Sequence, residues 1–326
     1  MQLISDSCIH IQTIPTHFLY VFKLLDSINK IGNNSNTTKI FIVFDSKFDK
    51  EIFYTEINLF DKNLLNVLDI EFISMETILS NSTLLIGETI ENVLNPKNVL
   101  GVSWGAGGHR DYVALKRTYS LLEIRNRGFS FAWCLDSESL FLKEFDIKKF
   151  ILDNQKKQSL LIGSGSNGVR YTFLFKKLFN WEINKMDPIN YINIRMNDFW
   201  FINLDIFYDL INYLQKVHSQ PLSYFINGSE QSLYEYFLFK GFKEKKYNIE
   251  LIKIIGDMHN NNLFKNYLGQ KKLDLNLFSE VMNDIYFNKT LSYRGDYINE
   301  LKKSDLGLEL FKKLNIKVAV SNFQGN

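Results

Sequence analysis

The 326-residue sequence has little cysteine, proline and glycine, and these shortages limit what kind of protein it encodes. Its two cysteines, Cys8 and Cys134, form no paired motif, which argues against a disulfide framework or a zinc site and suits a reducing compartment. The 4 prolines and 17 glycines stand against 28 phenylalanines and 16 tyrosines, a composition that excludes global disorder. Since no signal-peptide pattern and no run of about 18 apolar residues appears, we expect a soluble, cytoplasmic protein.

The charges show no excess of one sign. The 38 lysine and arginine residues nearly balance the 36 aspartate and glutamate residues and leave a net charge of +2. Because no overall field attracts nucleic acid, we expect no nucleic-acid partner. The length suggests one large α/β domain, or one domain with an annex.

The first half of the sequence alternates strand and helix patterns. Residues 39–44 are predicted to form a buried parallel strand, because this run is almost wholly apolar, β-branched and aromatic. A short strand is predicted at 7–12, and residues 69–73 could be the third strand. Helices are predicted at 16–30, from its apolar spacing, and at 47–68, where the pattern is mixed. This β-α-β-α-β order predicts a parallel sheet covered by helices.

Further strands and helices are predicted after residue 110. The helix at 111–127 stops at Gly128, and the apolar strand at 129–135 follows it. The remaining predictions are strands at 159–163, 197–204 and 250–255, helices at 205–217 and 229–240, and one or two helices at 298–317.

Two carboxylates directly follow the strand at 129–135, in the triplet Asp136-Ser137-Glu138. Ligands of open α/β sheets bind beyond the carboxyl ends of the strands, and an extended i, i+2 pair points to one face, so both carboxylates can reach one cation. Oxygen ligands suit magnesium or manganese, and such a cation would offset the charge of a nucleotide diphosphate. A solvated turn after a strand is the alternative interpretation.

The order of three segments resembles that of the GT-A glycosyltransferases, in particular the glycogenin-type members. In that family a helix with a Lys or Arg packs beside the donor, and a strand then runs into an Asp-x-Asp motif. The similar segments here are ALKRTYSLL at 114–122, FAWCL at 131–135 and the acidic triplet, in which Glu138 stands where Asp is usual. The resemblance implies a GT-A-like, Rossmann-type fold with a mostly parallel central sheet flanked by helices.

The resemblance also implies a division of the chain. A catalytic domain would occupy residues 1–265, with a nucleotide-binding half at about 1–165 and an acceptor half at about 166–265. A C-terminal helical extension would follow at 266–326.

A metal site is the first functional feature that the resemblance implies. Asp136 and Glu138 would bind Mn²⁺ or Mg²⁺. The segment GDMH at 256–259 is similar to the family segment with a late metal-binding histidine, so His259 would be the third ligand. Asp257 is the alternative ligand there.

Catalytic and sugar-side residues follow from the same resemblance. Glu230 lies in a segment similar to the acidic-Gln segment that faces the family's reaction centre, so Glu230 and Asp136 are the candidate catalytic carboxylates. The alternative is that Glu230 only begins a helix, where the helix dipole favours an acidic residue. Asn197 and Asp198 lie in a segment similar to the one that contributes an Asn beside the donor sugar.

The remaining donor-binding residues follow from position. Gln12 and Thr13 end the first strand, where the base and ribose bind in the family, and Asp45, at the end of the second strand, could act similarly. Lys116 would neutralise the diphosphate or contact the base, and the alternative is an ordinary exposed lysine. Ser137 lies within the acidic triplet.

These residues together predict a metal-dependent transfer of sugar from a nucleoside-diphosphate sugar to a hydroxyl acceptor, in polysaccharide, lipopolysaccharide or glycoprotein glycan synthesis. The resemblance favours a UDP-sugar donor and a glycan or lipid-linked acceptor, and leaves retention or inversion open. The alternatives are a nucleotidyltransferase, although residues 8–17 offer no glycine-rich loop for it, and a non-catalytic carbohydrate- or nucleotide-binding protein. Lysines near the C-terminus suggest either peripheral contact with an anionic membrane or a solvated helix face, namely Lys302, Lys303, Lys312, Lys313 and Lys317.

Overall fold

The structure is a computed structural model, and it describes twelve stretches of the chain. They are residues 6–33, 38–80, 88–94, 108–156, 158–163, 178–179, 200–226, 230–254, 292–294, 298–299, 302–313 and 318–320. Asn197, Asp198, Asp257 and His259 lie outside these described residues.

Strands and helices alternate along most of the described chain. The strands are β1 (Ser7–Gln12), β2 (Gly32–Asn33), β3 (Lys39–Phe44), β4 (Ile70–Ser74), β5 (Phe131–Leu135), β6 (Leu140–Phe141), β7 (Phe145–Asp146), β8 (Gln158–Gly163), β9 (Trp200–Asn203), β10 (Ile249–Ile254), β11 (Ser292–Arg294) and β12 (Val318–Val320). The helices are α1 (Phe18–Ile31), α2 (Lys47–Asp61), α3 (Leu64–Val67), α4 (Met75–Leu79), α5 (Ile90–Leu94), α6 (Gly108–Asn126), α7 (Ile147–Lys156), α8 (Leu204–His218), α9 (Leu222–Phe225), α10 (Glu230–Lys243) and α11 (Asp305–Lys313), and a 3-10 turn, Pro15–His17, precedes α1.

The central sheet has the strand order β4-β3-β1-β5-β9 among the described residues. The strands β4, β3, β1 and β5 are parallel, and β9 is antiparallel to β5. The chain therefore starts in the middle of the sheet, adds β3 and β4 on one side, and then returns to add β5 on the other. This reversal makes the gap between the carboxyl ends of β1 and β5 a topological switch point, which is where open α/β sheets bind ligands. The predicted α/β class, with a mostly parallel sheet flanked by helices, is confirmed.

Two hydrophobic cores cover the two faces of this sheet, because successive strand side chains point to opposite faces. Cys8 and Phe41 belong to the core that contains buried residues of α6, α8 and α10. Ile9 and Ile40 belong to the core that contains buried residues of α1, α2 and α7. Residues on both faces of β1 and β3 are buried, which explains why these strands read as continuous apolar runs.

Helix boundaries differ from the sequence prediction where side chains close the ends. The predicted helix at 47–68 is two helices, α2 and α3, separated at Lys62 and Asn63. A capping box begins α2: Ser46 Oγ accepts from the Asp49 amide, and the Asp49 carboxylate accepts from the Ser46 amide.

The second half of the chain forms smaller sheets. The strands β8 and β10 were predicted at 159–163 and 250–255, and they pair in parallel with each other in a separate two-stranded sheet. Of the strand predicted at 197–204, the described part is β9. The predicted domain divisions at about residues 165 and 265 stay predictions.

The described part of the predicted C-terminal extension contains α11 and also two short strands that the sequence pattern did not indicate. In this region β11 pairs in parallel with β12, and β12 pairs antiparallel with β6. Lys143 Nζ also donates to the carbonyl oxygens of Phe311 and Lys312, at 3.3 and 3.4 Å. The C-terminal segment is thus attached directly after the acidic triplet. Of the helices that the structure describes, none has the length and apolar character that crossing a membrane requires.

Candidate functional site

Polar side chains converge at the switch point of the central sheet. Ile11 lies level with Leu135 in the β1–β5 register, so Gln12 and Asp136 follow the last paired residues of neighbouring strands. Helix α6 lies against this edge and contributes Lys116 and Arg117, which contact groups from several elements. Contacts along this edge involve eight of the predicted site residues, namely Gln12, Thr13, Asp45, Lys116, Asp136, Ser137, Glu138 and Glu230.

Lys116 is buried and is bonded within the protein. Its Nζ donates to Asp45 Oδ1 at 2.5 Å and to the Thr13 carbonyl at 2.7 Å, and Tyr112 Oη donates to the same Asp45 oxygen at 2.9 Å. With its side chain only 3% exposed, Lys116 is not the exposed surface lysine of the alternative interpretation. Burial lowers the pKa of Lys116, while the attraction of Asp45 acts in the opposite direction. The ammonium group therefore ties the ends of β1 and β3 to α6.

Arg117 is the centre of the second cluster. Its Nη1 donates to Glu230 Oε1 at 2.7 Å, and its Nη2 lies 3.9 Å from Asp136 Oδ1. In the orientation of the Gln12 amide that satisfies both of its ends, the oxygen accepts from Arg117 Nη2 at 2.9 Å and the nitrogen donates to the Val113 carbonyl at 3.2 Å. One guanidinium thus connects α10 with the ends of β1 and β5.

Burial and charge oppose each other at Arg117. Burial lowers the pKa of Arg117, but the carboxylates of Glu230 and Asp136 outweigh it and raise the pKa above its usual value. The guanidinium also lies 5.8 Å from the centre of the Trp200 ring, a favourable cation–π distance. Arg117 therefore stays a cation although its side chain is only 18% exposed.

A tight turn presents the acidic triplet. The Asp136 carbonyl accepts from the Ser139 amide at 3.0 Å, which closes the turn. Asp136 is 42% exposed, whereas Ser137 and Ser139 are buried. The exposure of Asp136 fits the alternative interpretation of a solvated turn, but the burial of Ser137 and Ser139 does not.

His17 packs against this turn. Its Nδ1 lies 2.9 Å from Ser137 Oγ, and its Nε2 lies 3.8 Å from Glu138 Oε1. The Tyr20 ring meets the imidazole edge-on, with ring centres 5.8 Å apart. The residue that ends the 3-10 turn after β1 therefore helps to fix the turn that follows β5.

The donor atoms of the acidic turn suit a hard divalent cation, but they are not a complete metal site. Asp136 and Glu138 offer the carboxylate oxygens that Mg²⁺ and Mn²⁺ prefer. Within the described stretches, no group of three His, Cys, Asp or Glu side chains could hold a metal ion. The predicted third ligand, His259, and its alternative, Asp257, fall outside them.

The sequence analysis did not single out Arg117, His17 or His10 as site residues. A signal for Arg117 exists, because Lys116 and Arg117 interrupt a helical stretch that is otherwise mostly buried, and buried cations need carboxylate partners. His10 lies beneath them in β1, with Nε2 2.8 Å from Ser120 Oγ. Burial, and then the nearby Arg117 and Lys116 charges, lower the pKa of His10 to about 3, so it is neutral at physiological pH.

No family model matches the sequence, and no curated protein matches it. Among solved structures, the chain is similar to S. aureus TarS, with 13% identity and a TM-score of 0.39 over 86% of this chain and 40% of TarS. It is also similar to mouse xyloside xylosyltransferase 1, with 11% identity and a TM-score of 0.43 over 86% of this chain and 93% of that protein.

A third similar structure is core-mannan synthase A of Aspergillus fumigatus in its Mn/GDP form, with 10% identity and a TM-score of 0.42 over 72% of this chain and 69% of that protein. TM-scores of 0.39 to 0.43 are too low for these likenesses to carry a functional argument.

Proposed function

We propose that the chain is a glycosyltransferase that binds a nucleoside-diphosphate sugar between the ends of β1 and β5. The observation that carries this proposal is the set of side chains at the switch point, with Gln12 after one strand, Asp136 and Glu138 after the other, and Arg117 in contact with Gln12 and near Asp136. We call the space between these two strand ends the crevice. The carboxylates could hold a metal ion, and the metal ion and Arg117 could together bind the anionic part of the ligand. The proposed reaction is transfer of the sugar to a hydroxyl group.

The electrostatics of the crevice support a divalent cation in this proposal. A diphosphate charge about 4 Å from one carboxylate would be repelled by roughly 4 kcal/mol at the effective dielectric of a protein surface. We propose that Asp136 and Glu138, with His259, hold Mn²⁺ or Mg²⁺. When bound, the ion would supply positive charge that stabilises the departing diphosphate.

The basic residues would divide the remaining work. Arg117 would place a positive charge beside the anionic part of the donor, and its N–H groups are donors of the kind that phosphate oxygens accept from. Lys116 would act indirectly, because its ammonium group already binds Asp45 and the Thr13 carbonyl. It would thereby shape the side of the crevice proposed for the base and ribose.

The sugar side of the proposed site depends on the sequence resemblance. Asn197 and Asp198 are proposed for the donor sugar and Ser137 for the donor beside the metal. In the transfer itself, the acceptor oxygen forms a bond to the anomeric carbon, and the bond from that carbon to the diphosphate oxygen breaks. The electron pair leaves with the nucleoside diphosphate, and the acceptor proton passes to a base.

A thermal-unfolding screen tests the proposal. UDP, GDP and UDP-GlcNAc are each added with and without Mn²⁺, and a nucleotide at a hundredfold excess over its Kd should stabilise the folded protein by about 2.7 kcal/mol. Asp136→Asn and Glu138→Gln should remove the manganese-dependent part of this stabilisation. Asp69→Asn is the control, since Asp69 pairs with Lys39 at the opposite edge of the sheet.

Turnover is then measured as release of nucleoside diphosphate in the presence of hydroxyl acceptors. An enzyme loses turnover on Asp136→Asn, whereas a non-catalytic binder loses affinity alone. If no nucleotide stabilises the protein with any divalent metal, the proposal is wrong.

A further inference from the structure

We infer that Glu230 is a positioning residue, which fixes the Arg117 guanidinium in the crevice so that Arg117 contacts the anionic part of the donor. This inference rests on the proposed function. It assigns to Glu230 a role different from that of the catalytic base, which the sequence resemblance implied. It also assigns the ligand contact to one end of the Arg117 guanidinium, Nη2.

The Glu230 carboxylate is buried and bonded to Arg117. Glu230 begins α10, and its side chain is only 6% exposed. Its Oε1 accepts a charge-assisted hydrogen bond from Arg117 Nη1 at 2.7 Å. A catalytic base must approach the acceptor hydroxyl to about 3 Å, which requires an accessible carboxylate oxygen. A largely buried carboxylate bonded to a guanidinium is better suited to hold that guanidinium in place.

The two terminal nitrogens of the Arg117 guanidinium have different neighbours. Nη1 faces Glu230, whereas Nη2 lies between the Gln12 amide and Asp136. The 3.9 Å separation of Nη2 from Asp136 is longer than a hydrogen bond, so it leaves attraction without a direct bond. A phosphate oxygen in the crevice would accept from this end while Glu230 keeps the other end fixed.

Trp200 adds a third restraint. Its ring centre lies 5.8 Å from the Arg117 guanidinium carbon, and Trp200 itself is buried against Tyr234 and Phe207. A guanidinium that is held by Glu230 and Gln12 and packed on a buried indole has few orientations available. Glu230 and Trp200 together thus preorganise Arg117, which lowers the entropy lost on ligand binding.

The decisive experiment measures kcat, the donor KM and the pH profile of kcat for wild type, Glu230→Gln, Arg117→Lys and the double variant. If Glu230 acts through Arg117, Glu230→Gln raises the donor KM by about tenfold or more, which matches loss of a hydrogen bond to a charged group. The acid limb of the pH profile stays in place. In the Arg117→Lys background, Glu230→Gln causes no further rise in KM, because both changes remove the same interaction.

The opposite result is equally clear. Loss of a catalytic base would lower kcat by about a hundredfold or more, remove the acid limb and leave the donor KM unchanged. The same loss would recur in the Arg117→Lys background. That pattern would overturn the inference and leave the proposed function standing. A wild-type protein that binds no nucleotide sugar would overturn both.

A further double variant serves as a control for folding. Arg117→Met/Glu230→Met removes both charges and keeps similar side-chain volumes, an exchange that buried ion pairs often tolerate. We expect this folded variant to lose donor affinity, and wild-type affinity without turnover would contradict the inference. Asp205→Asn is the matched control, since Asp205 of α8 pairs with Arg125, which lies on α6 like Arg117. It should leave KM and kcat unchanged.

Discussion

Basic side chains in the middle of helix α6 and at its C-terminal end have opposite surroundings. Near the carboxyl edge of the sheet, Lys116 and Arg117 are largely buried and each is bonded to a carboxylate from another element. Near the amino edge, Arg125 and Arg127 are about 30% exposed and form ion pairs at the surface. Surface pairs contribute little stability, whereas a buried charge without its partner is strongly unfavourable. The buried pairs lie at the edge of the sheet where we propose that the ligand binds.

The largest expected effect comes from breaking the buried pair on one side alone. Arg117→Met leaves the buried Glu230 carboxylate without its guanidinium and should lower the free energy of unfolding by about 3–5 kcal/mol. Urea denaturation at pH 7 measures this. The double variant Arg117→Met/Glu230→Met should recover most of the loss. Equal losses in the single and double variants would show that the pair is not what stabilises this edge.

Asp45→Asn tests the second buried cation and should have a smaller effect. It leaves the Lys116 ammonium with the Thr13 carbonyl and a neutral amide, which should cost about 2–3 kcal/mol of unfolding free energy. The loss should be smaller than for Arg117→Met because Asp45 is partly exposed and water can reach it. Urea denaturation at pH 7 measures this loss of unfolding free energy. An unchanged midpoint would show that the pair of Lys116 with Asp45 does not stabilise the protein.

The stability of the protein in acid tests the surroundings of His10, which lies near Lys116 and Arg117. His10 has a pKa of about 3 in the folded protein against 6.5 ordinarily, so below pH 6.5 the unfolded chain binds the extra proton. The stability that neutral His10 permits is complete above pH 6.5 and declines as pH falls toward 3. His10→Asn should lessen this decline, by at most about 1.4 kcal/mol per pH unit.

Acid denaturation followed by circular dichroism measures the difference between wild type and His10→Asn. Identical pH dependence of the two proteins from pH 6.5 to 3 would contradict a neutral, buried His10.

The smallest effect is expected at the amino edge. Asp205→Asn removes an exposed ion pair with Arg125 and should change the free energy of unfolding by no more than about 1 kcal/mol. Raising the salt concentration should shrink the difference further, because exposed charges are screened. A loss as large as that of Arg117→Met would abolish the distinction between the two edges.

The sequence predicted the sheet well and the ion pairs poorly, for related reasons. The strands at 39–44 and 129–135 were recognisable because both of their faces are buried, and the acidic triplet stood out because it ends such a run. The link between Arg117 and Glu230 joins residues 113 positions apart, and helical spacing identifies a face without naming its partner. The break between α2 and α3 was missed for a local reason, since the apolar pattern continues across it.

Short strands are the other feature that the pattern could not give. The strand β12 has only three residues, Val318–Val320, and its partner β6 has two. Such short strands form because tertiary neighbours supply the hydrogen bonds, so the local sequence has no periodic pattern that predicts them.

The pairing of β12 with β6 has a consequence for how the protein is assembled. Ala319 pairs with Leu140, two residues beyond Glu138, and Lys143 reaches carbonyl oxygens of Phe311, 168 positions downstream. Contacts between such distant positions close late, because the chain must first lose the entropy of a large loop. Residues 318–320 must therefore have been synthesised before the strand that pairs next to the acidic turn can form.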